Sequence, residues 1–420
     1  MKFFQKSTWL TLSLFSTILL SCLSIASFPN NGKAQKSLSK NILRVALYPY
    51  IPDAANDKYR ELLQRIETEF EGKNPDIDLV LKPIKDDGFY ELDTLKTWLT
   101  ESPSNNGYHL VEIDTLLLGD LVELNLIQAW NAPSTQSDWH PAGQRGVTLN
   151  NQVYGIPHWL CGNFIFSRDK SVVKAKSITE LLPALDQVNP KTPNVAGDLA
   201  GSWDLPTLYL DAWADTYGLD EIASAISTSN PDKVVMQSFK NFSKECVTNG
   251  KNPCLDGTYN DANLSAKNFA DGKVDTFFGY SERLNFILKE GVNTKDVKIS
   301  SIPLGQRKNP ILFVDAFVLR NDCNKACQEA AAKFVAYMNA PQTHEWILMS
   351  QDAGNKAIPR YLIPATLSAF QTPEVRQNSY YRVIESETKK GLSYPNSGFP
   401  KIREEMEKNI LNELGVAPKM

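Results

Sequence analysis

The chain is poor in histidine, with four, and has only six cysteines in 420 residues. No Cys and His residues are spaced as a structural zinc site requires, so no metal is expected. No basic run is long enough to follow a phosphate backbone, and the net charge of -4 argues against nucleic acid as a partner. Past the first residues, no stretch is long and apolar enough to span a bilayer. Internal repeats and low-complexity tracts are missing too, which leaves an ordinary globular composition with 10% aromatic and 22% charged residues.

An export signal comes first. Lys2 and Lys6 precede Trp9 to Ile25, a segment rich in Leu, Phe and Ile with Ser and Thr between them. This pattern reads as a signal peptide followed by a polar segment, Ser27 to Ser39. Residues 1–34 are therefore expected to be leader, and the mature chain to be exported, either secreted or periplasmic. Leu19-Leu20-Ser21-Cys22 is similar to a lipoprotein cleavage box, which would leave Cys22 lipidated. Cleavage near Ala26 or Ala34 would instead release a free protein. Leu20 stands where such boxes carry a small residue, which favours the second route.

Outside the cytoplasm disulfides persist. Cys246 and Cys254 enclose a short loop with Asn249-Gly250, and a disulfide is expected there. On a regular helix Cys323 and Cys327 would hold their Cβ atoms ~5–6 Å apart, long for a disulfide. A frayed first turn would bring them together. Cys161 is left over, in the aromatic and apolar segment Tyr154 to Phe164. An unpaired cysteine in an exported protein is either a small buried hydrophobe or a reactive thiol.

Removal of the leader leaves about 385 residues, too many for one core, and two lobes are expected. Strands and helices alternate. Ile42 to Tyr48 is β-rich and runs into the rigid turn Pro49-Tyr50-Ile51-Pro52-Asp53. A helix capped near Asp57 follows, with Tyr59, Leu62, Leu63, Ile66 and Phe70 at helical spacing and Gly72 as its stop. Ile77 to Lys82 and His109 to Asp114 read as further strands. This rhythm implies an α/β fold with a parallel sheet and ligands bound at the carboxyl ends of its strands. Val274 to Tyr280 and Ile311 to Leu319 continue the pattern. A helix capped by Asn321 or Asp322 and closed by Pro341, then a last helix ending at Gly415, complete it.

Three sets of residues carry chemistry. Cys161 needs a base to become a thiolate, and His158 is the nearest candidate in sequence, which would suit a cysteine hydrolase; Pro157 and the strand-like residues around it favour a surface or packing role for His158 instead. Asp114 ends a strand, Asp315 lies inside an apolar one, and Glu282 follows a buried one. Acids in such places carry a desolvation cost unless paired, and together they suit a cationic ligand. Tyr48, Tyr50, Trp159 and Tyr280 flank these positions, where rings can stack on a flat heterocycle or face a cation.

These residues fall in segments that resemble the thiamine pyridinylase, or type I thiaminase, family. Leu43 to Asp53 is similar to the family's first strand and turn. Ile113-Asp114 and the following helix to Leu126 match next. Val153 to Cys161 resembles the segment of its nucleophilic cysteine, and Phe278-Gly279-Tyr280-Ser281-Glu282 that of its general base. Weaker likeness covers Ala200-Gly201 to Leu210, the surroundings of Asp315, and Tyr361 to Ala365. The chain departs from the pattern in its two extra cysteine pairs and in Phe313, where a tyrosine would be expected.

The resemblance implies a two-lobed fold of the type II periplasmic-binding-protein kind with a cleft between lobes. On that basis residues 38–161 with 309–342 are expected to form one lobe, and 162–308 with 343–420 the other. It implies that Cys161, deprotonated by Glu282, attacks the pyrimidine of thiamine. Tyr48, Tyr50, Asp114, Tyr280 and Asp315 would then bind the substrate. An organic base would replace the thiazole, with no cofactor, and the protein would act as a monomer. The competing expectation is a solute-binding protein of a transporter, on the same fold.

Overall fold

In a computed structural model, the described residues are 40–416 apart from 86–87, 132–135, 189–193, 355 and 394–396. The expected leader and Cys22 lie outside them. Thirteen strands occur among the described residues: β1 (Asn41–Ala46), β2 (Ile77–Leu81), β3 (Leu110–Asp114), β4 (Ile127–Gln128), β5 (Thr148–Leu149), β6 (Gln152–Val153), β7 (Gly155–Cys161), β8 (Asn163–Ser167), β9 (Val195–Ala196), β10 (Thr276–Tyr280), β11 (Lys298–Ser301), β12 (Phe313–Arg320) and β13 (Ile363–Pro364). They form a seven-stranded sheet in the order β13-β7-β12-β3-β1-β2, with β4 also paired to β12, a four-stranded sheet β11-β8-β10-β9, and the hairpin β5-β6.

The parallel rhythm holds where the chain stays in one lobe. β1 pairs in parallel with β2 and β3. β12 and β7 are antiparallel neighbours, and β12 also runs antiparallel to β3. The reason is topological: β12 re-enters the first sheet from the second one, so it runs against the strands laid down first.

Local signals explain most boundaries. The helix Arg60–Lys73 buries Leu62, Ile66 and Phe70, and Phe70 meets Phe334 edge-on at 5.4 Å. Asp57 accepts the N–H groups of Arg60 and Glu61 at 3.0 Å each, satisfying donors that the first turn leaves free. The final helix Phe399–Glu413 buries Phe399, Met406 and Ile410, and Gly415 follows it with φ +77°.

Three helix limits differ from expectation. Gly72 lies inside the helix Arg60–Lys73, which is closed by Asn74. Asn324, not Asn321 or Asp322, caps the helix Lys325–Met338, its side chain accepting the N–H of Cys327 at 3.1 Å. Pro341 opens the helix Pro341–Leu348, where its missing N–H costs nothing. The cap at Asn324 settles the cysteines. Cys323 precedes the cap, so it is free of helical spacing and bonds to Cys327 with Cα atoms 5.4 Å apart. Cys246 and Cys254 also form a disulfide, and Cys161 is the free cysteine among the described residues.

The turn after β1 is tied down from the far end of the chain. Arg360 is buried with Asp352, each 1% exposed; its Nη1 and Nη2 donate to the two carboxylate oxygens at 2.7 and 2.6 Å. Its Nε donates to the carbonyl of Pro52 at 3.0 Å, and Nη1 to that of Ile347 at 2.8 Å. Lys289, on the helix Arg283–Glu290, reaches the same turn at Asn56 Oδ1, 2.7 Å, and at the carbonyls of Ala54 and Asp53, 3.3 and 3.4 Å.

Candidate active site

β7 ends at Cys161 and β8 begins at Asn163, so a single residue, Gly162, carries the chain from the first sheet to the second. A side chain at Gly162 would press on Leu312 at 3.0 Å. β12 returns beside this crossing: Phe313 lies opposite Cys161, and Asp315 lies opposite Asp114 at the end of β3. Tyr280 ends β10, and Glu282 follows within two residues. Strand ends from both sheets therefore converge on one place.

That place is a cleft of about 200 Å³, lined by Tyr48, Tyr50, Tyr90, Asp114, Leu116, Cys161, Trp203, Asp204, Thr207, Tyr280, Glu282, Arg283 and Phe313. Its aromatic wall is continuous. Tyr48 and Tyr50 have ring centroids 5.4 Å apart, Tyr50 and Tyr90 5.9 Å, and Tyr90 and Trp203 5.0 Å. Arg403 stacks on the outer side of this row, 4.1 Å from the Trp203 ring. Tyr280 meets Phe313 edge-on at 6.2 Å.

Cys161 is 8% exposed. Its Sγ donates to Asp315 Oδ2 at 3.4 Å and lies 3.8 Å from the Tyr48 hydroxyl. Burial pushes the thiol well above its usual range, and the negative charges of Asp315 and Glu282 push the same way. Asp315 sits behind the cleft wall, and burial followed by the charges of Asp114 and Glu112 raises it well above a normal carboxylate. Burial lifts Asp114 to about 7 although it accepts the N–H of Leu116 at 2.9 Å. Burial also raises Glu282, with Arg283 pulling it back. Three acids line the cleft, a fourth lies behind the thiol, and Arg283 is the lining cation among the described residues. An excess of poorly solvated carboxylates draws a cation.

Of the nine residues singled out in the sequence, six, Cys161, Glu282, Tyr48, Tyr50, Asp114 and Tyr280, share this wall, and a seventh, Asp315, contacts the thiol from behind. Among the described residues the hydrogen-bond partners of Cys161 are Tyr48 and Asp315; Glu282 lines the same cleft without a hydrogen bond to it. His158 is not part of the site. The pairing of β12 steps from Trp159 to Pro157, leaving His158 as the extra residue of a bulge. It is fully buried, with Nδ1 2.6 Å from Glu112 Oε1, and Glu112 Oε2 accepts the N–H of Tyr48 at 2.8 Å. Trp159 is buried as well, packed edge-on against His344 at 5.1 Å rather than lining the cleft.

Tyr90, Trp203, Asp204, Thr207 and Arg283 were not anticipated. Trp203, Asp204 and Thr207 fall in the Ala200 to Leu210 segment, whose weak likeness was the available signal. Tyr90 lies in an irregular stretch before the helix Leu92–Thr100, where periodicity carries no information.

Comparison with known proteins gives three kinds of likeness. Residues 56–379 match the family model described as bacterial extracellular solute-binding protein. A curated relative, Thiaminase-1 of Paenibacillus thiaminolyticus, is 25% identical over 374 residues, covering 84% of this chain and 83% of its own. Clostridium botulinum thiaminase I in complex with thiamin matches with a TM-score of 0.68 and 21% identity, over 89% of this chain and 100% of that one. The sugar-binding protein MalE from Xanthomonas citri matches with a TM-score of 0.66 and 13% identity, over 89% and 92%. These structures share the two-lobed periplasmic-binding-protein fold. No helix among the described residues is long and apolar enough to cross a membrane.

Proposed function

The chain belongs to the bacterial extracellular solute-binding protein family, and on that scaffold we propose that it is an enzyme, a thiamine pyridinylase of the thiaminase I type. The observation that carries this reading is the unpaired thiol of Cys161, hydrogen-bonded to a buried carboxylate inside an aromatic, acid-rich cleft. The likeness to Thiaminase-1 over most of both chains supports it. The protein acts outside the cytoplasm after loss of residues 1–34.

Thiamine is a cation with a flat aminopyrimidine joined through a methylene to a thiazolium. The rings of Tyr48, Tyr50 and Tyr280 hold the flat ring, and Asp114 and Asp315 stabilise its protonated form. Cys161 gives its proton to Glu282 and adds to the pyrimidine carbon next to the methylene-bearing one. The C–N bond to the thiazolium breaks, its electron pair leaves with the nitrogen, and neutral thiazole departs. A base then attacks the methylene, the ring electrons return, and the thiolate is expelled and reprotonated.

The electrostatics add a constraint. Burial and neighbouring carboxylates disfavour the thiolate in the free enzyme. An arriving cation lowers the pKa of every acid around it, so the nucleophile forms chiefly when substrate is present. The step in which Glu282 accepts a proton requires its carboxylate. Because its pKa is raised, kcat/KM should fall with decreasing pH at a point above the ordinary glutamate value of ~4.3. A pH–rate profile with thiamine checks this; an acid limb at or below that value would remove the desolvated Glu282 from the base role.

The decisive assay is incubation of the purified protein with thiamine and pyridine or aniline. Free thiazole and the exchanged pyrimidine product are expected. The fold alone favours a second reading, a thiamine-binding component of a transporter, which predicts binding with thiamine left intact.

A further inference from the structure

The reaction cleft opens on a larger cavity. This second space, about 620 Å³, shares Tyr50, Glu282 and Arg283 with the cleft wall. Its other faces come from the Pro49–Pro52 turn, Ile84 and the helix Arg283–Glu290, which contributes Phe286. The Lys289 contacts to Asp53, Ala54 and Asn56 fasten that helix to the turn, so the two walls are held at a set separation.

An exchange reaction needs room at one methylene carbon for a leaving group and an entering one. The cleft around Cys161 is the smaller of the two spaces. We propose that the larger cavity binds the second substrate, a neutral nitrogen base carrying an apolar ring; the proposal rests on the thiaminase reading. Three observations support it. The cavity meets the cleft at Glu282, the residue assigned as the base, which lines both. Tyr50, Phe286 and Ile84 give it apolar faces suited to a ring. Its lining carries three cations, Lys85, Arg283 and Lys289, against three acids, Asp53, Glu282 and Glu290, and two of the cations are engaged, Lys289 with three oxygens and Arg283 Nη1 with Asn263 Oδ1 at 2.9 Å, so there is no excess of positive charge for an anionic ligand.

The shared position of Glu282 then serves both half-reactions. The lone pair of the base forms the new C–N bond to the methylene. The ring electrons expel the Cys161 thiolate, which takes back its proton from Glu282. If the base carried an N–H, the ammonium product loses that proton to the freed Glu282 carboxylate, and from there to water. Pyridine has no such proton and remains a pyridinium.

Steady-state kinetics with thiamine and aniline, each varied in turn, test the assignment. Phe286→Ala should raise the KM for aniline about tenfold, the factor given by ~1.4 kcal/mol of lost contact. The KM for thiamine should move less than about twofold, as expected for a contact made to one substrate only. Lys85→Trp, at an exposed position on the cavity lining, should also raise the aniline KM by obstructing entry, and its exposure keeps folding out of the comparison. An unchanged aniline KM in both variants, or a thiamine KM that rises in step, overturns the subsite. Wild-type protein that releases no thiazole with any base overturns the underlying reading before a variant is made.

Discussion

Replacing Cys161 with serine is expected to stop thiazole release while thiamine still binds. Serine keeps a hydroxyl where the thiol donates to Asp315 and faces Tyr48, so the wall of the cleft should survive. What disappears is a nucleophile that ionises. A hydroxyl is a far poorer nucleophile than a thiolate at neutral pH, and no histidine stands beside it as an activating base, because His158 is held by Glu112. A loss on the order of 10³-fold or more in kcat is therefore expected, the scale seen when a nucleophile is removed from a catalytic unit. Calorimetric titration with thiamine checks binding, and product analysis checks turnover. Activity near the wild-type level in the serine variant would sink the assignment of the nucleophile. Loss of binding together with turnover would point instead to a collapsed cleft.

The second large effect concerns stability. Asp352→Ala should cost about 3–5 kcal/mol, because it leaves the Arg360 guanidinium buried without its counter-charge. Against a total stability of roughly 5–15 kcal/mol, that is a substantial fraction. Urea unfolding of the two proteins measures it. The double replacement Arg360→Met with Asp352→Leu should be much milder, since removing both charges leaves neither stranded. The Pro52 carbonyl loses its donor in the double variant, so the turn bearing Tyr50 should loosen there and the KM for thiamine should rise. A change below about 1 kcal/mol in Asp352→Ala, the range of an exposed pair, would mean that water reaches the guanidinium.

The parts of the molecule governed by local chemistry could be read from residue order. Alternation along Ile77 to Leu81 and helical spacing from Leu62 to Phe70 located β2 and the first helix, and counting cysteines isolated Cys161. Family likeness drew Glu282 and Asp114 to the same site, and the two lie in one cleft. The parts governed by tertiary approach were closed to such reading. Nothing in the segment around Tyr90 signals that its ring meets Trp203, more than a hundred residues away in the chain. His158 is three residues from Cys161, yet a bulge and a partner on β3 turn it elsewhere. The Cys323–Cys327 pair was obscured by a helix start placed too early, which put both residues on a spacing that only Cys327 obeys.

The ties on the turn after β1 have a further consequence. Arg360 and Lys289 grasp it mainly through the carbonyls of Pro52, Asp53 and Ala54. A carbonyl is present whatever side chain a residue bears. The identity of Ala54 is thus free to drift without loosening the turn, whereas Arg360, Lys289 and Asp53, whose carboxylate accepts the N–H groups of Lys58 and Asp57 at 2.9 and 3.4 Å, have no such latitude. In this protein the residues that keep the aromatic wall in place stand more than two hundred positions away in sequence from the residues they hold.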